Sequence, residues 1–332
     1  TSYNLAIHGG SIASSYWMLE TALDYRKPKV AVMDVLLTKS NYMQTDLPMA
    51  HAAMDPFPLS MTKLRAIWDI YDSPKDRAEL LFPLDVFHNR WKDLDTEMLK
   101  RGFGESKVSP EKGGESRIRV YPLEEPLVVD ASDAADEWTE GLGYLEKFIL
   151  LCQQEGIAPV ITYLPYRGAG DAEEQRYSNA AIRLAQSLGA ETIDLQHSDL
   201  IDDDTDWYDD GGHTNPMGAK KITGALGEYL TEAHDLPDRR DSEDWAADYE
   251  AYYAYQAEQL QKTGDLWSLL ALLSVEDFTA AVEIAPDYDM DPVTRKLLDA
   301  QAGRLTEGTG ETSGNIYDES YSDAFVSDLL VA

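Results

Sequence analysis

Residues 27–37 read Lys27-Pro28-Lys29-Val30-Ala31-Val32-Met33-Asp34-Val35-Leu36-Leu37, a basic, proline-marked break followed by a near-continuous apolar run. Such a run fits a strand buried on both faces of a parallel sheet better than a half-exposed strand, which alternates. Upstream, Tyr16 to Tyr25 carries apolar residues at helical spacing (Trp17, Leu19, Ala22, Leu23), and before it Tyr3-Asn4-Leu5-Ala6-Ile7 is short and apolar, broken by His8-Gly9-Gly10-Ser11. Strand, turn, helix and strand make a βαβ unit. The same rhythm resumes downstream. Helices are expected over Trp138–Glu155, Glu173–Leu188 and Met217–Glu232, with strands at Ala158–Pro165 and Glu191–Leu195 between them. Strands near residues 3, 30, 158 and 191 alternating with helices predict an α/β fold, with a mostly parallel sheet covered by helices on both faces in three layers.

Between these units, residues 42–125 read as an insertion, with helical patches at Leu64–Tyr71 and Phe87–Arg101 and a polar excursion at Gly102–Ser116. An α/β domain over 1–235 is therefore expected to be followed by an acidic extension over 236–332. That extension is helical and aromatic-rich at Asp244–Leu272, with a candidate strand at Phe278–Ile284 and a Gly/Thr/Ser/Glu-rich stretch at 303–320.

Charge narrows the function classes. The 332 residues hold 28 Lys+Arg against 61 Asp+Glu, a formal charge of −33. A surface this acidic repels a phosphate backbone and an anionic lipid surface, so nucleic acid is not an expected partner. Cys152 is the single cysteine, which excludes an internal disulfide and a cysteine metal cluster. No apolar run reaches the ~18 residues of a membrane span. The run Asp202-Asp203-Asp204-Thr205-Asp206 does not make a calcium loop: an EF-hand needs glycine where Trp207 stands and glutamate where His213 stands. An acidic turn is the simpler reading, and no metal site is expected.

The chemically informative segment is Trp207-Tyr208-Asp209-Asp210-Gly211-Gly212-His213-Thr214-Asn215-Pro216-Met217-Gly218. An acid shortly before a histidine can orient the imidazole and hold its tautomer, leaving the far nitrogen to take a proton from a hydroxyl. Either Asp209 or Asp210 could face His213, and the three-residue spacing favours Asp210. The plain alternative is an acidic turn followed by a helix cap at Thr214 or Asn215. Ser11, at a strand–helix junction, is a candidate nucleophile, and equally a helix N-cap. His8 beside the glycines is a candidate substrate contact. Within Phe87-His88-Asn89-Arg90-Trp91, His88 and Arg90 suit stacking on a sugar or pairing with an anion, and would otherwise be ordinary helix surface. The Trp/Tyr residues at 245–267 read as core packing rather than a carbohydrate platform.

Asp-x-x-His followed by Asn-x-x-Gly after the last strand of an α/β domain resembles the final block of the SGNH/GDSL hydrolase superfamily. The opening His8-Gly9-Gly10-Ser11, then a helix and Lys27–Met33, resembles its second block and the strand leading to its third. The Tyr3-Asn4-Leu5 opening, Phe87–Trp91 and Lys220-Lys221-Ile222-Thr223 are similar to a branch of bacterial membrane-anchored, extracytoplasmic acyl-transfer proteins of cell-envelope polymers. The resemblance covers roughly residues 1–235. It implies a serine acyl hydrolase or O-acetyltransferase with His213 as base, Asp210 as orienter and an oxyanion hole from Gly10 (Gly9 being the other choice) and Asn41. The third block departs from the pattern, reading Leu37-Thr38-Lys39-Ser40-Asn41 rather than Gly-x-Asn-Asp. The family's nucleophilic serine lies N-terminal to the second block, so the resemblance implies a serine, and a membrane anchor, encoded before Thr1. The implied partners are a polysaccharide or cell-wall polymer and an acyl donor, with no cofactor. A catalytically inactive scaffold that binds such a polymer or an assembly partner is the alternative expectation, and a lipase or esterase acting on small soluble esters is a third.

Overall fold

The computed structural model describes residues 3–6, 10–36, 38–39, 50–51, 54–55, 57–82, 110–168, 171–209, 211–238, 241–275 and 290–301. Three parallel strands, β1 (Val30–Asp34), β2 (Ala158–Tyr163) and β3 (Glu191–Asp194), form a sheet in that order. The helices are α1 (Ile12–Leu23), α2 (Met61–Ile70), α3 (Pro74–Leu81), α4 (Glu140–Glu155), α5 (Ala172–Ser187), α6 (Pro216–Ala233), α7 (Glu243–Lys262), α8 (Leu266–Leu273) and α9 (Pro292–Asp299). The chain is thus α/β, as expected.

Local chemistry sets the helix ends. Thr139 caps α4 by accepting from the Leu142 amide (3.1 Å), and Gly156 ends it at φ +67°, a left-handed conformation that costs glycine least. Along β2 the alternation sends Ile161 and Tyr163 to one side and Val160 to the other. On the first side they join Met33 of β1 and the apolar stripes of α1, α4 and α5, including Trp17, Leu145, Ile149 and Ala185. On the second, Val160 and Ile193 meet Ile222, Leu226 and Leu230 of α6. Asp69 of α2 ties three helices, accepting from Trp17 Nε1 (2.9 Å) and Tyr144 Oη (2.7 Å). A third cluster joins Met217 of α6 and Val120 to Leu260, Leu269, Leu270, Leu297 and Leu298 of α7–α9, so the helices beyond residue 236 pack directly against α6.

Two expectations need correction. Residues 3–6 form no strand: Asn4 Oδ1 accepts from the Ala6 amide (2.8 Å), a local turn that competes with strand pairing. Asn4 N–H donates instead to the Lys112 carbonyl (3.0 Å). β1 is also shorter than its apolar run, stopping at Asp34, and Val32 is 41% exposed rather than covered on both faces. The other boundaries fall within a few residues of expectation, except that 244–272 divides at Thr263-Gly264-Asp265 into α7 and α8, and α3 and α9 went unanticipated. The expected helix at 87–101 and strand at 278–284 lie outside the described residues, as does 303–320.

Asp34 marks the carboxyl end of the sheet. Its carboxylate accepts from the amides of Leu36 and Leu164 (2.8 Å each) and from Thr162 Oγ1 (3.2 Å), joining β1 to β2. Burial pushes its pKa up to about 6, although these hydrogen bonds pull the other way. A folded-state value above the unfolded 3.8 means that the native protein binds the extra proton between those pH values. Asp34 therefore contributes less stability as pH rises from about 4 through 6. A carbon-13 titration of the Asp34 carboxyl should show a midpoint near 6, and the stability of the wild type relative to Asp34→Asn should fall across that window. A midpoint at the ordinary aspartate value would contradict the assignment.

Candidate functional site

In open parallel sheets, ligands bind beyond the carboxyl ends of the strands, and the loop after β3 carries the histidine segment to that edge. Its anchor is Asn215. This side chain is 1% exposed and makes four hydrogen bonds. Oδ1 caps α6, accepting from the amides of Met217 (3.0 Å) and Gly218 (3.2 Å). Nδ2 donates backwards to the carbonyls of Thr205 (2.7 Å) and Trp207 (3.3 Å). One amide thus fastens the helix start to the loop before it. Gly218 completes the fit: a Cβ there would lie 2.6 Å from the Asp206 carbonyl. The Asn-x-x-Gly pattern has a packing cause of its own.

Beside it, Asp206 is fully buried, accepting from the Asp202 amide (2.8 Å) and paired with Lys221 of α6 (2.5 Å). Trp207, also fully buried, bridges to Thr214 in antiparallel fashion, and the Tyr208 amide donates to the His213 carbonyl (2.9 Å). Residues 207–209 and 211–214 therefore form the two sides of a short hairpin whose foot is clamped by Asn215. Gly211 at its turn has φ +95°, and a Cβ there would fall 2.8–2.9 Å from Arg167 backbone and Cβ atoms.

The hairpin presents a carboxylate–imidazole pair. Asp209 Oδ1 accepts from the amides of Gly212 (3.0 Å) and His213 (2.9 Å), and Oδ2 meets His213 Nδ1 at 2.5 Å. The carboxylate on His213 is Asp209, whereas the three-residue spacing pointed to Asp210, which lies outside the described residues. Hairpin geometry explains the difference: with Tyr208 opposite His213, Asp209 opens the turn and folds back over the following amides.

The other described histidines test how distinctive this pair is. His51, His197 and His234 also meet carboxylates, at Asp55 (3.0 Å), Asp194 (2.7 Å) and Glu191 (3.3 Å). Asp194-Leu195-Gln196-His197 is itself an Asp-x-x-His, but His197 Nε2 faces the Val129 carbonyl at 2.9 Å, so both ring nitrogens are engaged. The side chain of His213 is 57% exposed against 9% for His51, 20% for His197 and 14% for His234. Among the described residues its Nε2 has no partner. With Nδ1–H held by the carboxylate, Nε2 is left as the proton acceptor.

The remaining candidates separate. Ser11 is 4% exposed and caps α1, its Oγ accepting from the Ser14 amide (3.2 Å) and lying 3.2 Å from Ser14 Oγ. That is the helix-cap reading of the two. The short link 24–29 turns α1 back along the sheet, so Gly10 and Ser11 lie toward the edge where the strands end. Among the described residues no hydrogen bond or ion pair joins them to the hairpin. His8, Asn41, His88 and Arg90 lie outside the described residues. The acidic run is a turn, as expected, but solvated only in part: Asp202, Asp203 and Asp204 are half-buried whereas Asp206 is fully buried, and Lys296 of α9 bonds Asp202 (3.0 Å) and Asp204 (2.6 Å). Burial alone would raise the Asp202 carboxyl, but the Asp204 amide and Lys296 hold it below the usual range. Of the aromatic residues at 245–267, Tyr253 and Trp267 pack against the third cluster as expected, whereas Trp245 and Tyr249 stack on each other at 5.1 Å outside it, with Tyr249 39% exposed.

Comparison with protein-family models, with curated proteins and with solved structures finds no match.

Replacing Asn215 by Ala removes a cap worth about 1 kcal/mol and strands the Thr205 carbonyl at about 1–3 kcal/mol, while the Trp207 carbonyl keeps its bond from the Tyr121 amide (2.9 Å). Urea unfolding should show a loss of about 2–4 kcal/mol at unchanged m-value. Asn215→Asp should recover no more than the cap. An unchanged midpoint in Asn215→Ala would refute the anchoring role.

Proposed function

We propose that this chain carries the base-and-carboxylate half of an SGNH-like serine acyl-transfer site, on a three-layer α/β/α domain of that family's kind. The observation that carries the reading is the Asp209–His213 pair, with Nδ1 bound and Nε2 open, on a hairpin beyond the carboxyl end of a parallel sheet. The motif resemblance supplies the rest: a nucleophilic serine outside the described residues, since Ser11 is spent as a cap, and oxyanion donors at Gly10 and Asn41.

In this mechanism His213 Nε2 takes the serine hydroxyl proton as the oxygen attacks the acyl carbonyl. The carbonyl electron pair moves onto oxygen, where the Gly10 amide and the Asn41 side chain stabilise it. Collapse expels the first alcohol, which takes the proton back from Nε2. A second hydroxyl, of water or a sugar, then reverses the sequence and carries the acyl group away. Asp209 stays ionised throughout, fixing the tautomer and stabilising the imidazolium. The acyl group is small, an acetyl on a cell-envelope polysaccharide or related polymer, at the extracytoplasmic face of a bacterium. Both assignments follow from the family resemblance. The chemistry needs neither metal nor organic cofactor.

The test uses protein expressed from the complete reading frame, with p-nitrophenyl acetate as the probe ester. His213→Ala should lower kcat by about 10⁴–10⁶ and Asp209→Asn by about 10⁴, both with native circular dichroism. Turnover indifferent to His213→Ala would reject the enzyme and favour a scaffold that binds an envelope polymer without catalysis.

A further inference from the structure

Arg167, in the loop between β2 and α5, is 5% exposed; among the described lysines and arginines Lys63, at 6%, is buried to a similar degree. Burying a guanidinium costs several kcal/mol unless it is well paired, so its place needs a reason. The end of β2 does not need it. Gln196 already staples that loop to the end of β3, with Oε1 accepting from the Tyr166 amide (2.7 Å) and Nε2 donating to the Tyr166 carbonyl (2.8 Å). Arg167 Nη1 adds bonds to Gln196 Oε1 (2.7 Å) and to the Gln196 carbonyl (3.3 Å), and the guanidinium also reaches past the strand end toward the hairpin. Nε lies 3.4 Å from Asp203 Oδ1, an ion pair without hydrogen-bond geometry, and that oxygen accepts from Trp207 Nε1 at 2.9 Å. The guanidinium carbon sits 6.0 Å from the centre of the Trp207 ring. Meanwhile the Arg167 amide donates to the Gly211 carbonyl (2.9 Å), and its backbone fills the space a Cβ on Gly211 would need.

We infer that Arg167 is a positioning residue for the His213 base. Its side chain locks the foot of the hairpin at Asp203 and Trp207, while its main chain sets the turn at Gly211. Between those two points stand Asp209 and His213. The inference rests on the reading of His213 as the general base. Arg167 touches neither substrate nor the reacting atoms; it fixes where Nε2 is held. A rigid link from the sheet to a loop-borne base matters because a displacement of about 1 Å can cost on the order of 10²-fold in rate.

The test compares wild type, Arg167→Met, Arg167→Lys and His213→Ala, all from the complete reading frame. Steady-state hydrolysis of p-nitrophenyl acetate is read beside amide hydrogen exchange. Methionine fills the stem volume and leaves Asp203, 31% exposed at its side chain, hydrated and still bound to Trp207. Arg167→Met should lose about 10²-fold in kcat with KM little changed. Protection should fall at Gly212 and His213 but not in β2 and β3. Arg167→Lys keeps the charge without the fork, so it should recover part of the loss. Should the methionine variant fail to fold, the lysine variant carries the same comparison. Wild-type kcat in the folded Arg167 variants, with turnover abolished in His213→Ala, would overturn the inference alone. So would equal loss of protection in strands and hairpin, which marks a role in the fold. Turnover indifferent to His213→Ala would overturn the functional reading and this inference with it.

Discussion

One buried amide holds the candidate site to the fold. Asn215 has no water to satisfy it, so its donors and acceptor must all find protein partners. The partners available lie on both sides, the first turn of α6 and the carbonyls of Thr205 and Trp207. Satisfying them fixes the angle at which the chain leaves the loop and enters the helix. Trp207 and Thr214 are thereby brought into register, and the turn between them closes through Gly211 at φ +95°. The position of His213 follows from a hydrogen-bonding constraint two residues away together with its own bonds to Asp209 and Tyr208.

That constraint is transmitted outward by charge. The loop after β3 carries four aspartates in five residues, which would repel one another if left alone. Lys221 neutralises the buried one, Asp206, from α6, and Lys296 holds Asp202 and Asp204 from α9. Lys220 adds bonds to the carbonyls of Ser274 (3.0 Å) and Val275 (2.6 Å) at the end of α8. The helices beyond residue 236 are therefore part of the support of this loop. In a chain of net charge −33, few lysines are available, and three of them converge on this region.

The α/β alternation was legible because buried strands and amphipathic helices write their periods directly into the sequence. β2, β3, α4, α5 and α6 follow from such runs. Residues 3–6 were not, since Tyr3-Asn4-Leu5-Ala6-Ile7 is apolar enough for a strand but Asn4 turns its own backbone. For the site, the histidine and the capping asparagine could be read from residue type and order. The choice between Asp209 and Asp210 could not, because it depends on the pairing across a hairpin that linear spacing does not record. Arg167 and Gln196 are not marked by any pattern in the sequence. Their signal is three-dimensional: a polar side chain just past a strand end, which only the fold shows to be buried. His197 illustrates the converse, an Asp-x-x-His spacing whose second nitrogen is closed by a carbonyl far away in sequence.

The account stands or falls on the state of one imidazole. Nitrogen-15 NMR of the His213 ring, in its neutral form, reads which nitrogen bears the proton. The account predicts the Nδ1–H tautomer, with that proton hydrogen-bonded to Asp209 and a bare Nε2 open to solvent, and predicts that Asp209→Asn disturbs this preference while Asp210→Asn does not. A proton found on Nε2 would contradict it, because a nitrogen already carrying its hydrogen cannot take one from a serine.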